Sequence, residues 1–151
     1  MKPKFQRLYM NIAQQVATMS QARRLQVGAI VVKDDRIISI GYNGMPSGWD
    51  NKCEDTIQHS DDTVTLQTKP EVLHAETNAI AKLAKSSDSG LGATLFVTHS
   101  PCLDCAKLVY QSGIGSVIYR NSYRSTSGVD FLQKSGVKVV KLDDQDLESL
   151  G

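Results

Sequence analysis

No stretch of the chain approaches the roughly 20 consecutive apolar residues that a membrane-spanning helix requires. The longest aliphatic run covers only residues 29–32. The start, Met1-Lys2-Pro3-Lys4, leads into an amphipathic segment and has no apolar centre of the signal-peptide kind, so a cytoplasmic protein is expected. Charge of one sign is also missing. Seventeen basic and sixteen acidic side chains leave a formal net charge of +1, which offers no bulk attraction to a polyanion. Stacking aromatics are few, with one tryptophan (Trp49) and three phenylalanines, a poor endowment for a single-strand-binding groove. Cysteine is scarce and odd in number. Cys53, Cys102 and Cys105 do not resemble a secreted disulfide framework, and the close pair suggests metal or redox chemistry.

What is present is enough for one hydrophobic core, and a single domain over residues 1–151 is expected. Phe5, Leu8, Tyr9, Ile12, Val16 and Met19 recur at three- and four-residue steps, which predicts an amphipathic helix. Residues 27–32 are mostly β-branched and apolar, as in a strand covered on both faces, and residues 36–41 form its hairpin partner across Lys33-Asp34-Asp35. Between residues 43 and 73 the pattern dissolves, and so long a structureless stretch predicts an active-site loop. A second helix spans residues 75–84, a third strand 94–98, a third helix 102–111, a fourth strand 116–119, a helix 129–134 and a fifth strand 137–140. The order αββαβαβαβ predicts a three-layer α/β/α domain around a five-stranded mixed sheet. The spacing between the last two strands holds a crossover helix, so strands four and five should run parallel.

Two motifs carry chemistry. His74-Ala75-Glu76 opens the second helix and Pro101-Cys102-Leu103-Asp104-Cys105 opens the third. His74, Cys102 and Cys105 supply three ligands, the number of a catalytic zinc site that keeps a position open for water, whereas a structural zinc is closed by four. Cys102 and Cys105 are three apart and share a face of the first helical turn, where the helix dipole and a metal both favour thiolates. His74 and Glu76, two apart, converge only if both sit at the very start of their helix. Taken singly, a CxxC pair could be a structural clip and a histidine an ordinary polar residue. The combination H-x-E with P-C-x-x-C is the signature of zinc nucleobase deaminases, in which zinc lowers the pKa of its bound water and the unligated glutamate, here Glu76, moves the protons.

Gly41-Tyr42-Asn43-Gly44-Met45-Pro46-Ser47-Gly48, His74-Ala75-Glu76-Thr77-Asn78-Ala79-Ile80 and Ser100-Pro101-Cys102-Leu103-Asp104-Cys105-Ala106-Lys107 together resemble the deoxycytidylate (dCMP) deaminases, those of bacteriophages included. Residues 119–123 and Gly136-Val137 are also similar to that family's tail. The resemblance implies hydrolysis of dCMP to dUMP and ammonia, which serves deoxynucleotide synthesis on the way to dTMP. It further implies a catalytic Zn2+, a homohexamer, activation by dCTP and inhibition by dTTP with Mg2+, and residence in the cytoplasm, the host's for a phage-encoded chain. By position, Asn43 would contact the deoxyribose and Tyr123 the phosphate, with Ser100, Arg23 and Arg24 further substrate candidates. Asn43, Gly44, Pro46 and Gly48 would form the effector site. The alternative reading of Asn43-Gly44 is a plain turn. Some phage relatives hold a second, structural zinc. Here only Cys53, His59 and His99 could serve it, an incomplete set for which a buried free cysteine and a solvated histidine are expected instead. Lys82 and Lys85 fall near the family's subunit contacts.

Two other functions remain open on residues alone. A polynucleotide deaminase acting on tRNA or single-stranded DNA shares the zinc motifs, although no long nucleic-acid partner is implied by charge. A zinc-stabilised nucleotide sensor would use the Gly-Tyr-Asn-Gly loop without catalysis, but has no need for Glu76.

Overall fold

The computed structural model describes residues 1–145; the last six residues of the expected domain lie outside the described residues. Among the described residues the elements follow in the order α1 (Pro3–Ala17), β1 (Gly28–Lys33), β2 (Arg36–Tyr42), β3 (Glu54–Gln58), β4 (Val64–Thr68), α2 (Ala75–Ala84), β5 (Thr94–His99), α3 (Leu103–Gln111), β6 (Ser116–Asn121), α4 (Ser127–Lys134) and β7 (Lys138–Lys141). Five strands form one sheet in the order β2-β1-β5-β6-β7. β1 is antiparallel to β2 and to β5, whereas β5, β6 and β7 run parallel. The expected mixed sheet, with its last two strands parallel, is therefore the observed one. Asp34 and Asp35 both have positive φ (51° and 60°), the backbone that a two-residue hairpin between right-twisted strands demands.

Period-two alternation along β1 divides the core into two layers. Ile30 and Val32 join Phe96, Ile118 and Leu142 beneath Tyr9, Met10, Ala13 and Val16 of α1. Ala29 and Val31 face the other way, with Leu95, Val97 and Val117, against Ala79 and Leu83 of α2, Ala106 and Val109 of α3, and Leu132 of α4. The layers are thus α1, sheet, and α2 with α3 and α4. Burying each large aliphatic or aromatic side chain in these layers contributes about 1.5–3 kcal/mol.

Two glycines let helices approach the site. A Cβ at Gly41 would collide with the Ala75 carbonyl, so glycine allows the start of α2 to press on β2. A Cβ at Gly128 would collide with the Pro101 carbonyl, so glycine lets α4 close over the entry to α3.

The segment expected to be a structureless loop differs. β3 and β4 pair as an antiparallel two-stranded sheet, from Glu54 opposite Thr68 to Gln58 opposite Val64. Both faces are largely exposed, so selection for burial imposed no apolar alternation, and the period that betrays a strand is absent. Only the base of this hairpin is buried, at Cys53 and Glu54. No helix among the described residues is long and apolar enough to cross a membrane.

Candidate active site

His74 and Cys102 occupy the N-cap positions of α2 and α3, both with extended backbone, and neither side chain caps its own helix. Both side chains are thereby free to leave the helix ends. His74 Nδ1 lies 3.2 Å from Cys105 Sγ and 3.5 Å from Cys102 Sγ. The three donor atoms all lie within 4.8 Å of one another, the group among the described residues able to hold a metal ion. A tetrahedral zinc with bonds of about 2.3 Å to sulfur and 2.0–2.1 Å to nitrogen separates N and S ligands by about 3.5 Å, so the set fits that ion in donor type, number and spacing. Thr77 Oγ1, one turn into α2, approaches Cys105 Sγ at 3.9 Å.

The electrostatics follow from this crowding. Hydrogen bonds from Cys105 and His74 pull the Cys102 thiol down to about 4. Cys105 donates to that sulfur and is buried, so its proton is held more tightly than usual. The same contact with Cys102 raises His74. Without metal the Cys102 sulfur is thus a thiolate beside the Cys105 thiol and the His74 ring.

Glu76 sits in the first turn of α2, where both His74 and Glu76 were expected if they were to converge. It is 4% exposed, and burial raises its carboxyl to about 7, with His74 opposing the shift. A bound dication would oppose it further. A carboxyl poised near neutrality can accept and return a proton within one turnover.

Glu76, His74 and Cys102 line a cavity of about 420 Å³, a size suited to a small-molecule ligand. Tyr123, Arg124 and Arg24 also line it and are solvent-exposed, which sets them at its mouth. Asn43 is on the wall, but its amide is engaged: Oδ1 accepts from Val27 N–H at 2.8 Å, and Nδ2 donates to the Leu25 carbonyl at 2.8 Å. Ser100, buried at the end of β5, accepts the Tyr123 N–H at 2.7 Å and so fixes where Tyr123 begins. Arg23 does not line this cavity; its backbone N–H donates to Glu54.

The expected effector segment lies on a second cavity of about 650 Å³. Gly44, Pro46 and Gly48 line it together with Lys82 of α2 and Lys85, the residue that caps that helix. Asn43 borders both cavities. The residues considered for a second metal are dispersed in role. Cys53 is buried, with its sulfur 3.6 Å from the Asn51 carbonyl; His59 is exposed and bonded to Thr65 Oγ1 at 2.8 Å; His99 lines the first cavity.

Sequence reasoning missed Arg124, Glu54 and Thr68, all on the first cavity. Arg124 directly follows Tyr123 and could have been found by that adjacency. Glu54 and Thr68 gave no local signal.

The model of the cytidine and deoxycytidylate deaminase zinc-binding region matches residues 3–121, most of the chain. The chain belongs to this family. Within the family it is similar to the deoxycytidylate deaminase of Enterobacteria phage T4, 32% identical over 93% of this chain and 91% of the relative. It is 41% identical to the Homo sapiens deoxycytidylate deaminase over 74% of this chain and 61% of that one. Among solved structures, the dCMP deaminase of cyanophage S-TIM5, crystallised with dCMP and dUMP, superposes with a TM-score of 0.84 at 48% identity. That match covers 94% of this chain and 99% of the other. Family membership and these neighbours make the protein a hydrolytic deaminase of the cytidine deaminase fold, and the His74, Cys102 and Cys105 cluster is a donor set able to hold the zinc for which the family's region is described.

Proposed function

We propose that the chain hydrolyses dCMP to dUMP and ammonia, with His74, Cys102 and Cys105 holding zinc and Glu76 moving the protons. One observation carries the reading. A buried carboxyl and two members of the three-donor metal set, His74 and Cys102, line a nucleotide-sized cavity with Arg24, Tyr123 and Arg124 at its mouth. Bound at the three donors, zinc would supply Lewis acidity and a water activated near neutral pH. Glu76 accepts a proton from the attacking water and passes it to N3 of the cytosine as oxygen adds to C4. It then delivers the second proton to the departing amine, so that water and the C4 amine become the C4 carbonyl and ammonia.

The mouth selects the nucleotide. Arg24 and Arg124 present guanidinium groups suited to a phosphate monoester, and the Tyr123 hydroxyl can donate to the same oxygens. The Asn43 amide retains one N–H beyond its two backbone bonds, enough for a sugar hydroxyl. Ser100 acts through the Tyr123 backbone it anchors.

The second cavity is the proposed effector site. Lys82 and Lys85 supply positive charge for triphosphate oxygens, Mg2+ accompanies the triphosphate, and the loop from Gly44 to Gly48 reads dCTP against dTTP. In this reading the protein works as a homohexamer in the cytoplasm and supplies dUMP for dTMP synthesis.

Ammonia release from dCMP, CMP, deoxycytidine, dCTP and a cytosine-containing oligonucleotide tests the assignment. dCMP is expected to dominate. Comparable release from the oligonucleotide would transfer the function to polynucleotide editing, and no release from any substrate by the zinc-loaded protein would leave a nucleotide sensor.

A further inference from the structure

We infer that Glu54 is a positioning residue that gives the enzyme its grip on the substrate phosphate, by fixing Arg24 through the base of the β3–β4 hairpin. The inference rests on the reading that the phosphate lies at the Arg24 end of the catalytic cavity. Glu54 is 2% exposed, and a carboxylate so buried is costly unless strong partners compensate it. Its partners are unusual in kind. Oε2 accepts two backbone N–H groups, those of Arg23 and Arg24, each at 2.8 Å. Its nearest side-chain cation is Arg23, whose Nε stands 3.9 Å from Oε1. The carboxylate therefore holds the chain at Arg24 without neutralising the Arg24 guanidinium.

The guanidinium is held from the other side of the same ladder. Sheet register places Thr68 opposite Glu54, and Thr68 Oγ1 accepts from Arg24 Nη1 at 3.0 Å. One cross-strand pair thus anchors both ends of a single arginine, its backbone by Glu54 and its head group by Thr68. Arg24, Glu54 and Thr68 all line the catalytic cavity. No carboxylate lies within ion-pair distance of the Arg24 guanidinium among the described residues, so its charge and four of its five N–H donors stay available to an anion. A carboxylate bonded to the guanidinium itself would compete with phosphate; one bonded to the backbone aims the side chain and leaves it cationic. This also gives the exposed hairpin a task that needs no hydrophobic face.

The test compares kcat/KM for dCMP and for deoxycytidine, with zinc content measured on each preparation. The variants are Arg24→Ala, Glu54→Ala, Glu54→Gln, Thr68→Val and the double variant Glu54→Ala with Arg24→Ala. Glu54→Ala is expected to lower kcat/KM on dCMP by about tenfold to a hundredfold, the range of a charge-assisted hydrogen bond, with a much smaller loss on deoxycytidine. Glu54→Gln, which keeps a carbonyl acceptor, should recover part of that loss. The double variant should be no worse than Arg24→Ala, because both changes remove the same interaction. Equal losses on both substrates, or losses that add in the double variant, would show a merely structural role and overturn the inference. Should Glu54→Ala fail to fold, Glu54→Gln and Thr68→Val decide: both should lower the preference for dCMP over deoxycytidine, and an unchanged preference overturns the inference. If Arg24→Ala itself leaves that preference intact, the phosphate reading fails, a result distinct from failure of the Glu54 role alone.

Discussion

Gly44 and Leu73 exchange both of their backbone hydrogen bonds, at 3.0 Å from Gly44 N–H to the Leu73 carbonyl and 2.8 Å in return, as an isolated antiparallel bridge. Leu73 is the residue before His74, and Gly44 opens the loop that lines the second cavity. One backbone pair therefore ties the proposed effector loop to a proposed metal ligand.

That bridge makes a prediction about Gly44 in which glycine itself is not the requirement. A Cβ there would meet no atom within 4 Å, and its φ is not in the left-handed region. Gly44→Ala should keep zinc affinity and turnover near wild type. Gly44→Pro removes the N–H and should weaken zinc binding about fivefold, the worth of roughly 1 kcal/mol of hydrogen bond. Competition with a chelator measures it, and equal affinities for the two variants would uncouple the bridge from the metal.

Zinc uptake should release protons. Without metal, His74 and Cys105 both hold their protons more firmly than usual while Cys102 is already a thiolate. Zinc needs a neutral imidazole and two thiolates, so binding near pH 7 should expel the Cys105 proton together with any proton that the His74 ring carries in excess of its neutral form, and affinity should rise with pH. Titration calorimetry in buffers of different ionisation enthalpy counts them. Cys102→Ser should lose zinc outright, and full occupancy in that variant would remove Cys102 from the ligand set.

Glu76→Gln should bind dCMP yet turn it over at least about a hundredfold more slowly, since the amide keeps the shape and cannot shuttle a proton. Because Glu76 is buried, the neutral amide should not destabilise the fold as a misplaced charge would. Single-turnover kinetics beside equilibrium dCMP binding separate the two effects, and near-normal turnover would sink the assignment.

His99 should make stability depend on pH. Burial at the end of β5 lowers its pKa below the usual histidine value, whereas the unfolded chain titrates near 6.5. A depressed folded pKa means that acid favours the unfolded state. The contribution is complete above about pH 6.5 and is lost as pH falls through the folded value. Urea melts of metal-free wild type and His99→Gln from pH 7.5 to 5 should show the wild type losing more stability. Parallel losses would assign the pH dependence to other groups.

How much of this could be read from the chain depended on whether burial or distance carried the information. α1 was legible because Tyr9 and Val16 face a core, and a core on one face imposes a period; β1 was legible because both of its faces are buried, which leaves a continuous apolar run. His74, Glu76, Cys102 and Cys105 were legible because metal chemistry restricts residue types at helix starts. The β3–β4 hairpin was not, since neither of its faces packs on a core. Glu54 and Thr68 were invisible for another reason: they meet Arg24 across 30 and 44 residues, and nothing local to either marks the meeting. Asn43 was singled out as a sugar contact and it borders both cavities, but its bonds to Leu25 and Val27 depend on how β1 begins, which no motif encodes.

The effector reading yields the last prediction. dCTP with Mg2+ should raise dCMP turnover at low substrate and dTTP with Mg2+ should lower it, both through the cavity bordered by Gly44, Pro46, Gly48, Lys82 and Lys85. An effector shifts an equilibrium only by its differential affinity for two states, so each nucleotide must fit one loop arrangement better than the other. Cytosine offers an amine at position four where thymine offers a carbonyl. A buried partner satisfied by one is left unpaired by the other, at about 1–3 kcal/mol, enough for roughly five- to hundredfold coupling. The Gly44–Leu73 bridge gives that coupling a physical route, because a loop that moves Gly44 must carry Leu73, and with it His74, or break two backbone bonds. Replacing Lys82 and Lys85 together by alanine should abolish both responses while dCMP turnover without effector persists, as neither lysine lines the catalytic cavity. Retained responses in that variant would move the effector site elsewhere, and superimposed wild-type curves at saturating effector would mean that the second cavity has no regulatory role.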